Sequence, residues 1–406
     1  MSRTATSDDA VELITLGCRL NASESDRMRA LAREAGLSNA VIVNTCAVTN
    51  EAVRQSRQAI RKAARARPGA RIIAAGCAVE LDPATFADMP EVHRALGNAL
   101  KLRRDSYGGG GPPAALPTPP ARTRVPLEVQ NGCDHRCTFC IIPFARGPSR
   151  STPAGEAVAQ ARALIAAGAR EIVLTGVDLT AWGADLPGRP GLGSLVRRLL
   201  KFAPELERLR LSSLDVIEID DELVDLIATE PRLAPHLHLS LQHGHDLILK
   251  RMKRRHGAAD AIALCRRLKA ARPEIALGAD LIAGFPTETE AHFEAMLDFV
   301  DACGLAYLHI FPFSPRDGAP AARMPQVDRA VVKARAARLR EKAAQRLAQH
   351  LNGWTGRSAE ALVEHEGFAR LADFTGVSFA GAEPAGESVA LRFMGHDGQN
   401  LIGAPA

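Results

Sequence analysis

The 406-residue chain reads as an α/β protein in three parts: an N-terminal open parallel sheet, a central partial (βα)6 barrel and a small C-terminal β-barrel. Three observations predict this. Short apolar runs alternate with longer amphipathic stretches through the first hundred residues and again from 123 to about 315, the pattern of successive βα units. A Gly- and Pro-rich segment without periodicity, Tyr107 to Ala121, separates the two series as a linker would. Beyond about residue 355 the runs shorten and alternate, as in a compact β module.

Residues 1–106 contain VELITLG, an amphipathic stretch from Asn21 to Ala35, AVIVNT, a second stretch from Glu51 to Arg67, and RIIAAG. This order predicts strand, helix, strand, helix, strand. The linker is assigned to 107–122. In the central part, 123–352, the predicted strands are PLEVQN, EIVLTG, RLRLSS, HLHLSL, IALGADLIAG and AYLHIFPF. Six such units fall short of the eight in a full barrel, so a partly closed barrel is expected, with its loops gathered at the strand C-termini. Residues 328–351 form one basic amphipathic helix, expected either to bind polyanion or to pack through Val331, Leu339 and Leu347. The β module occupies 355–406, with SAEALVEH, VALRFM and NLIGAP as strands.

A net charge of +5 and a pI near 8.9 permit a polyanionic partner without requiring one. No run of 18 apolar residues occurs, and the polar start MSRTATSDDAVELITLG lacks the basic and apolar regions of a signal peptide. A cytoplasmic protein with no membrane partner is therefore expected. Thiols stay reduced there, so cysteines at motif spacing point to metal chemistry.

The segment NGCDHRCTFC places Cys133, Cys137 and Cys140 at C-x3-C-x2-C spacing directly after the first barrel strand. Three thiolates on one short loop can cap three irons of a cubane and leave the fourth open to a ligand. A structural zinc site would need a fourth ligand, and no obvious one stands nearby in the sequence. A second set comprises Cys18 in TLGC, Cys46 in VNTC and Cys77 in AAGC. Each follows a predicted strand, and parallel strands end along one sheet edge, so topology brings these three thiols together as a second cluster site. Cys265 and Cys303 lie in predicted helices without a cysteine at ligand spacing and are read as buried structural thiols.

The C-x3-C-x-aromatic-C pattern, with Phe139 as the aromatic residue, resembles the radical S-adenosylmethionine superfamily signature. That resemblance implies a 4Fe-4S cluster whose open iron is chelated by the amino and carboxylate groups of S-adenosylmethionine, generating a 5'-deoxyadenosyl radical. A three-cysteine first domain, this barrel and a β tail similar to the TRAM module together resemble the methylthiotransferase family over nearly the whole chain. The family resemblance implies two 4Fe-4S clusters, with the cluster of Cys18, Cys46 and Cys77 holding or supplying sulfur, and the replacement of C-H by C-S-CH3. VNTCAVTNEA around Cys46 and LKRMKRRH at 249–256 are most similar to the branch acting at C2 of N6-threonylcarbamoyladenosine, position 37 of tRNA. Methylthiolation of isopentenyladenosine or of a ribosomal protein aspartate, and a non-catalytic RNA-binding iron-sulfur sensor, are the alternatives. An electron donor and a sulfur donor are further partners. LQHGHD departs from the family's usual small residue after the glutamine, at His243.

No catalytic residues beyond the cluster ligands are expected, since hydrogen abstraction by a carbon radical replaces acid-base chemistry. Residues ending the barrel strands, Thr175 and Gly176, Ser212, Gln242 and Ile282, join Phe139 as the candidates to cradle S-adenosylmethionine. Lys250, Arg251, Lys253, Arg254 and Arg255 form the candidate RNA contact, with salt-dependent binding as its signature. In the tail, Phe368, Phe374, Phe379 and Phe393 are the aromatics; contact with RNA there is expected through shape and backbone, with some of the four serving as core.

Overall fold

The computed structural model describes residues 11–108 and 123–406, and these divide into two compact units. The first holds the described residues up to 108 together with 131–149 and 314–319; the second holds 123–130, 150–313 and 320–406. Most of the predicted linker lies outside the described residues. Its expected first residue, Tyr107, instead belongs to the first unit's core, where its ring is buried and its hydroxyl donates to Lys101 O at 2.6 Å.

The first unit is built on four parallel strands in chain order: β1 (Val11–Thr15), β2 (Ala40–Thr45), β3 (Arg71–Gly76) and β4 (Arg94–Leu96). Because strand side chains alternate between faces, AVIVNT covers both sides. Ile42 packs with Met28, Leu31 and Ala32 of α1 (Arg19–Glu34). Val41 and Val43 pack with Ile60 and Ala63 of α2 (Asn50–Ala66). Helix α2 starts where the Thr49 hydroxyl accepts from Ala52 N at 3.1 Å, an N-cap of ordinary type. Two short helices follow β3, α3 (Cys77–Leu81) and α4 (Pro83–Ala87), and α5 (Ile142–Arg146) follows the cysteine loop. Residues 131–149 were expected with the barrel; they pack in the first unit because α5 inserts Ala145 into the α2-side core and Arg146 binds the buried Glu24 and Asn21 of α1.

The second unit contains all six predicted barrel strands: β5 (Arg124–Glu128), β6 (Glu171–Thr175), β7 (Arg208–Leu211), β8 (His236–Gln242), β9 (Ala276–Ala283) and β10 (Tyr307–Pro312). They pair in parallel as β5-β6-β7 and β8-β9-β10. The bridges Leu209↔Leu233 and Leu214↔Leu239 join the two halves. Leu237, Leu239, Leu241, Leu277, Ala279 and Leu281 pack with the helices α6 (Ala154–Ala166), α7 (Leu192–Phe202), α8 (Asp221–Thr229), α10 (Ala258–Ala271) and α11 (Glu290–Ala302), all sharing one core. Helix α9 (Asp246–Arg251) carries part of the basic run. Cys265 on α10 and Cys303 at the end of α11 are outside any disulfide and buried, as expected, and both belong to this one core.

The 24-residue α12 (Arg329–Asn352) follows. Of its basic residues, Arg335 reaches Glu288 at 2.8 Å and Glu290 at 3.1 Å, Arg338 pairs with Glu290 and Glu294, and Lys342 with Asp301. With Leu339 buried, this is the packing role; Val331, expected to pack, is 37% exposed. The tail closes a five-stranded barrel from β11 (Ser358–His365), β12 (Phe368–Arg370), β13 (Gly376–Phe379), β14 (Ser388–His396) and β15 (Leu401–Pro405), in the order β11-β12-β13-β15-β14. Phe379 and Phe393 are core; Phe374 lies under the guanidinium groups of Arg124, Arg210 and Arg370 at 4.5 to 5.2 Å. No helix among the described residues is long and apolar enough to cross a membrane.

Candidate functional site: two cysteine sets in one unit

The register of the first sheet settles where its thiols lie. Thr15 stands beside Asn44 and Thr45 beside Gly76, so the segments carrying Cys18, Cys46 and Cys77 leave the same edge. Cys18 is the N-cap of α1 and Cys77 opens α3. Each is preceded by a glycine with positive φ, +94° at Gly17 and +99° at Gly76. A Cβ at Gly17 would lie 2.7 Å from Cys46 Sγ, and one at Gly76 2.4 Å from Asn44 Oδ1. Only glycine allows both the left-handed turn and the close approach. Gly76→Ala is expected to lower the free energy of unfolding by about 1–3 kcal/mol, the cost of such backbone strain, and denaturant unfolding checks it.

Two asparagines fasten this edge. Asn21 Nδ2 donates to Leu16 O at 2.7 Å and Thr45 O at 3.0 Å, tying the chain just before Cys18 to the chain just before Cys46. Asn98 Nδ2 donates to Cys77 Sγ at 3.6 Å and to Ala145 O at 2.7 Å. The thiols interact electrostatically. Burial pushes the Cys46 thiol up to about 11, the negative charge of Cys18 and Cys77 adds to this, and Arg146 opposes it. A cation bound to all three would reverse that shift by taking the thiolates as ligands.

The loop of Cys133, Cys137 and Cys140 belongs to the same unit. Cys133 N donates to Gly147 O at 3.1 Å and closes the loop at its base, while Cys140 N donates to Cys137 O at 3.1 Å in a tight turn. All three cysteines and Phe139 are partly exposed. Directly after the loop, Arg146 is buried: its Nη1 donates to Glu24 Oε1 at 2.9 Å and its Nη2 to Asn21 Oδ1 at 2.7 Å. Lys101, fully buried, donates to Glu24 Oε2 at 2.6 Å. Burial alone would raise the Glu24 carboxyl, but Lys101 and Arg146 hold it below the usual range. Sequence reasoning missed Glu24, Lys101 and Arg146, because single charged residues in amphipathic stretches look like solvated positions. The donor sets fit iron-sulfur clusters: each offers three cysteines, none of them tied up in a disulfide, and three thiolates are what a cubane with one open iron requires.

In the second unit the proposed cradle residues all stand at strand C-termini. Thr175 ends β6, with its hydroxyl donating to Val173 O at 3.0 Å, and a Cβ at Gly176 would meet Gln130 Oε1 at 2.8 Å. Ser212 follows β7, and its hydroxyl is buried without a hydrogen-bond partner among the described residues, a polar atom that a ligand would satisfy. Gln242 ends β8 at φ +67°, and Ile282 is buried on β9. His243, which breaks the family pattern, turns away from such a role: it is buried against Glu288 at 3.0 Å, and Glu288 is held by Arg335. The basic run divides. Lys250 and Lys253 are exposed, whereas Arg251 donates to Thr287 Oγ1 at 2.7 Å, Arg254 is bound to Asp215 at 2.5 Å, and Arg255 reaches Glu218 at 2.8 Å. An unpredicted polar cluster joins three adjacent strands, with His238 Nε2 and His309 Nδ1 at 2.8 and 3.2 Å from the same Asp280 oxygen.

Residues 127–300 match the family model described as the Radical SAM superfamily, and residues 10–97 match the one described as Uncharacterized protein family UPF0004. A threonylcarbamoyladenosine tRNA methylthiotransferase of Rickettsia prowazekii is 46% identical over 377 residues, covering 89% of this chain and 90% of its own length. A tRNA-2-methylthio-N(6)-dimethylallyladenosine synthase of Cereibacter sphaeroides is 36% identical and covers 87% of each chain. Among solved structures, the radical S-adenosylmethionine methyltransferase TsrM of Kitasatospora setae superposes with a TM-score of 0.52 at 16% identity, over 73% of this chain and 67% of that one. That likeness supports the fold.

Proposed function

Given that the chain belongs to the tRNA methylthiotransferase family of radical S-adenosylmethionine enzymes, we propose that it places a methylthio group at C2 of N6-threonylcarbamoyladenosine at position 37 of tRNA. The observation that carries this reading is the pair of three-cysteine sets within one unit, one compact on a loop and one assembled by a sheet edge. The branch is supported by the 46% identity to the Rickettsia relative.

In this reading Cys133, Cys137 and Cys140 hold the cluster that binds S-adenosylmethionine, and Cys18, Cys46 and Cys77 hold the second. When bound, these groups supply one-electron cleavage of the sulfonium and the sulfur to be transferred. The protein's own part is placement. The closed base of the cysteine loop fixes three thiols over one short span. Within the second unit Thr175, Gly176, Ser212, Gln242 and Ile282 are the strand-end candidates to meet the cofactor, the unpartnered Ser212 hydroxyl foremost among them, and Phe139 is the candidate on the loop of the first. Lys250 and Lys253 are available to meet phosphate, since the neighbouring arginines are engaged within the fold. An electron donor and a sulfur donor complete the cycle in the cytoplasm, where tRNA is modified.

Nucleoside mass spectrometry of tRNA tests the substrate. A strain lacking the gene should lose 2-methylthio-N6-threonylcarbamoyladenosine and accumulate its precursor; an unchanged amount overturns the assignment. Loss of the methylthio form of isopentenyladenosine instead would move the chain to the sibling branch. Charge reversal of Lys250 and Lys253 should weaken tRNA binding and flatten its salt dependence by about one to two in slope, roughly 0.7–0.9 for each phosphate no longer neutralised, measured by filter binding across a salt series.

A further inference from the structure

We infer that Arg146 is a positioning residue that clamps the Cys133–Cys140 loop to the sheet edge of Cys18, Cys46 and Cys77 and sets the reduction potential of the cluster held there. The inference rests on the proposed ligand assignment and goes beyond it, to a residue that ligates nothing.

The clamp is made by consecutive residues at the end of α5. Ala145 O accepts from Asn98 Nδ2, which also reaches Cys77 Sγ. Arg146 Nη2 donates to Asn21 Oδ1, and Asn21 ties the chain before Cys18 to the chain before Cys46. One rigid amide therefore stands between this short helix and each part of the thiol set. Cys140 lies only six residues before Arg146 in the sequence, so a helix fixed at its end leaves the loop little freedom to drift.

The electrostatics follow from the same contacts. Arg146 and Lys101 share Glu24, two cations on one carboxylate, and all three are buried. This buried trio carries a surplus of one positive charge, in a medium where charge is poorly screened; around it stand the Glu80 carboxylate, which accepts from Asn98 N at 2.6 Å, and Arg316, which interacts with Cys46. Burial works against the charge on Arg146, and the Glu24 carboxylate bound to it keeps the guanidinium protonated. Reducing a thiolate-bound cluster adds negative charge, so a neighbouring fixed cation favours the reduced form and raises the potential.

Charge and structure are separated by variants with opposite expected signs. In holoenzyme reconstituted with iron and sulfide, potentiometric titration followed by electron paramagnetic resonance reads each cluster. A Cys133, Cys137 and Cys140 triple-alanine background identifies the signal of the N-terminal one. Arg146→Gln is expected to lower that cluster's reduced-to-oxidised ratio at fixed potential at least tenfold, equivalent to about 59 mV for one electron. Glu24→Gln is expected to raise it, and Arg146→Lys to stay near the parent value. Pulsed electron-electron distance measurement between the two clusters should broaden in Arg146→Gln, with the clamp gone. Equal shifts in the same direction for Arg146→Gln and Glu24→Gln, or none, overturn the proposal. If Arg146→Gln fails to load iron, Glu24→Gln still decides by the sign of its shift. Failure of the ligand assignment itself shows differently, as an unchanged iron content when Cys18, Cys46 and Cys77 are replaced.

Discussion

Replacing Cys18, Cys46 and Cys77 together by alanine is expected to remove about four irons per chain and to end methylthio transfer, while 5'-deoxyadenosine is still formed from S-adenosylmethionine. The same replacement at Cys133, Cys137 and Cys140 should also remove about four irons but end both activities. The asymmetry follows from the geometry. The loop set is compact, partly exposed and self-contained, with its base closed by the Cys133–Gly147 hydrogen bond, so it does not need the sheet-edge thiols to form. In the proposed assignment, radical generation belongs with the loop, and only sulfur delivery with the sheet edge. Iron and sulfide content, 5'-deoxyadenosine by chromatography, and modified nucleoside by mass spectrometry give the three readouts. The expected losses are total for the activity removed, because a missing cluster leaves no slower route to the same bond. Continued methylthio transfer by the first variant would refute the division of labour.

The barrel, the tail module and the compact cysteine motif were legible because each is encoded locally. Alternating apolar runs such as HLHLSL and ALGADLIA carry their own strand signal, and C-x3-C-x2-C needs no fold to be read. The sheet-edge set was legible one step further on, since each thiol follows a strand and parallel strands end together. What stayed hidden depends on pairings distant in sequence. Lys101 and Arg146 lie 77 and 122 residues from the Glu24 they share, and nothing in their own segments marks them as buried. Likewise Arg251 and Arg254 belong to a basic run that looks like a solvated phosphate-binding face. Their partners Thr287 and Asp215 lie 36 and 39 residues away, and only tertiary structure shows that the guanidinium groups are already taken. His243 is the same case in reverse: a residue that looks anomalous in its motif is explained by Glu288, 45 positions downstream.

Arg210→Met is expected to cost about 3–5 kcal/mol of folding stability, the range for removing one partner of a buried ion pair. Arg210 on β7 is wholly buried and holds Glu171 of β6 through Nε at 2.5 Å and Nη2 at 3.2 Å, while Nη2 also donates to Ala372 O of the tail module at 3.0 Å. Its removal leaves the Glu171 carboxylate buried with the longer, weaker contact to Arg208 at 3.4 Å, and detaches the tail's Ala372. The double change Arg210→Met with Glu171→Leu removes both charges, so most of the stability should be recovered, since a buried pair replaced by apolar groups is often neutral or stabilising. The pH dependence carries a definite sign. Burial by itself would raise the Glu171 carboxyl, but Arg210, Arg124 and Arg208 hold it below its ordinary value. A carboxyl lowered on folding contributes stability that is present above the unfolded-state value, about 4.3, and is lost as pH falls through the folded one. The parent should therefore lose stability on acidification below about pH 4.3, whereas the double variant should lack that part of the acid sensitivity. Urea denaturation of parent, single and double variants from neutral pH down to about pH 3, below the unfolded-state value, measures both effects; a double variant as unstable as Arg210→Met would show that the pair acts through packing and not through charge.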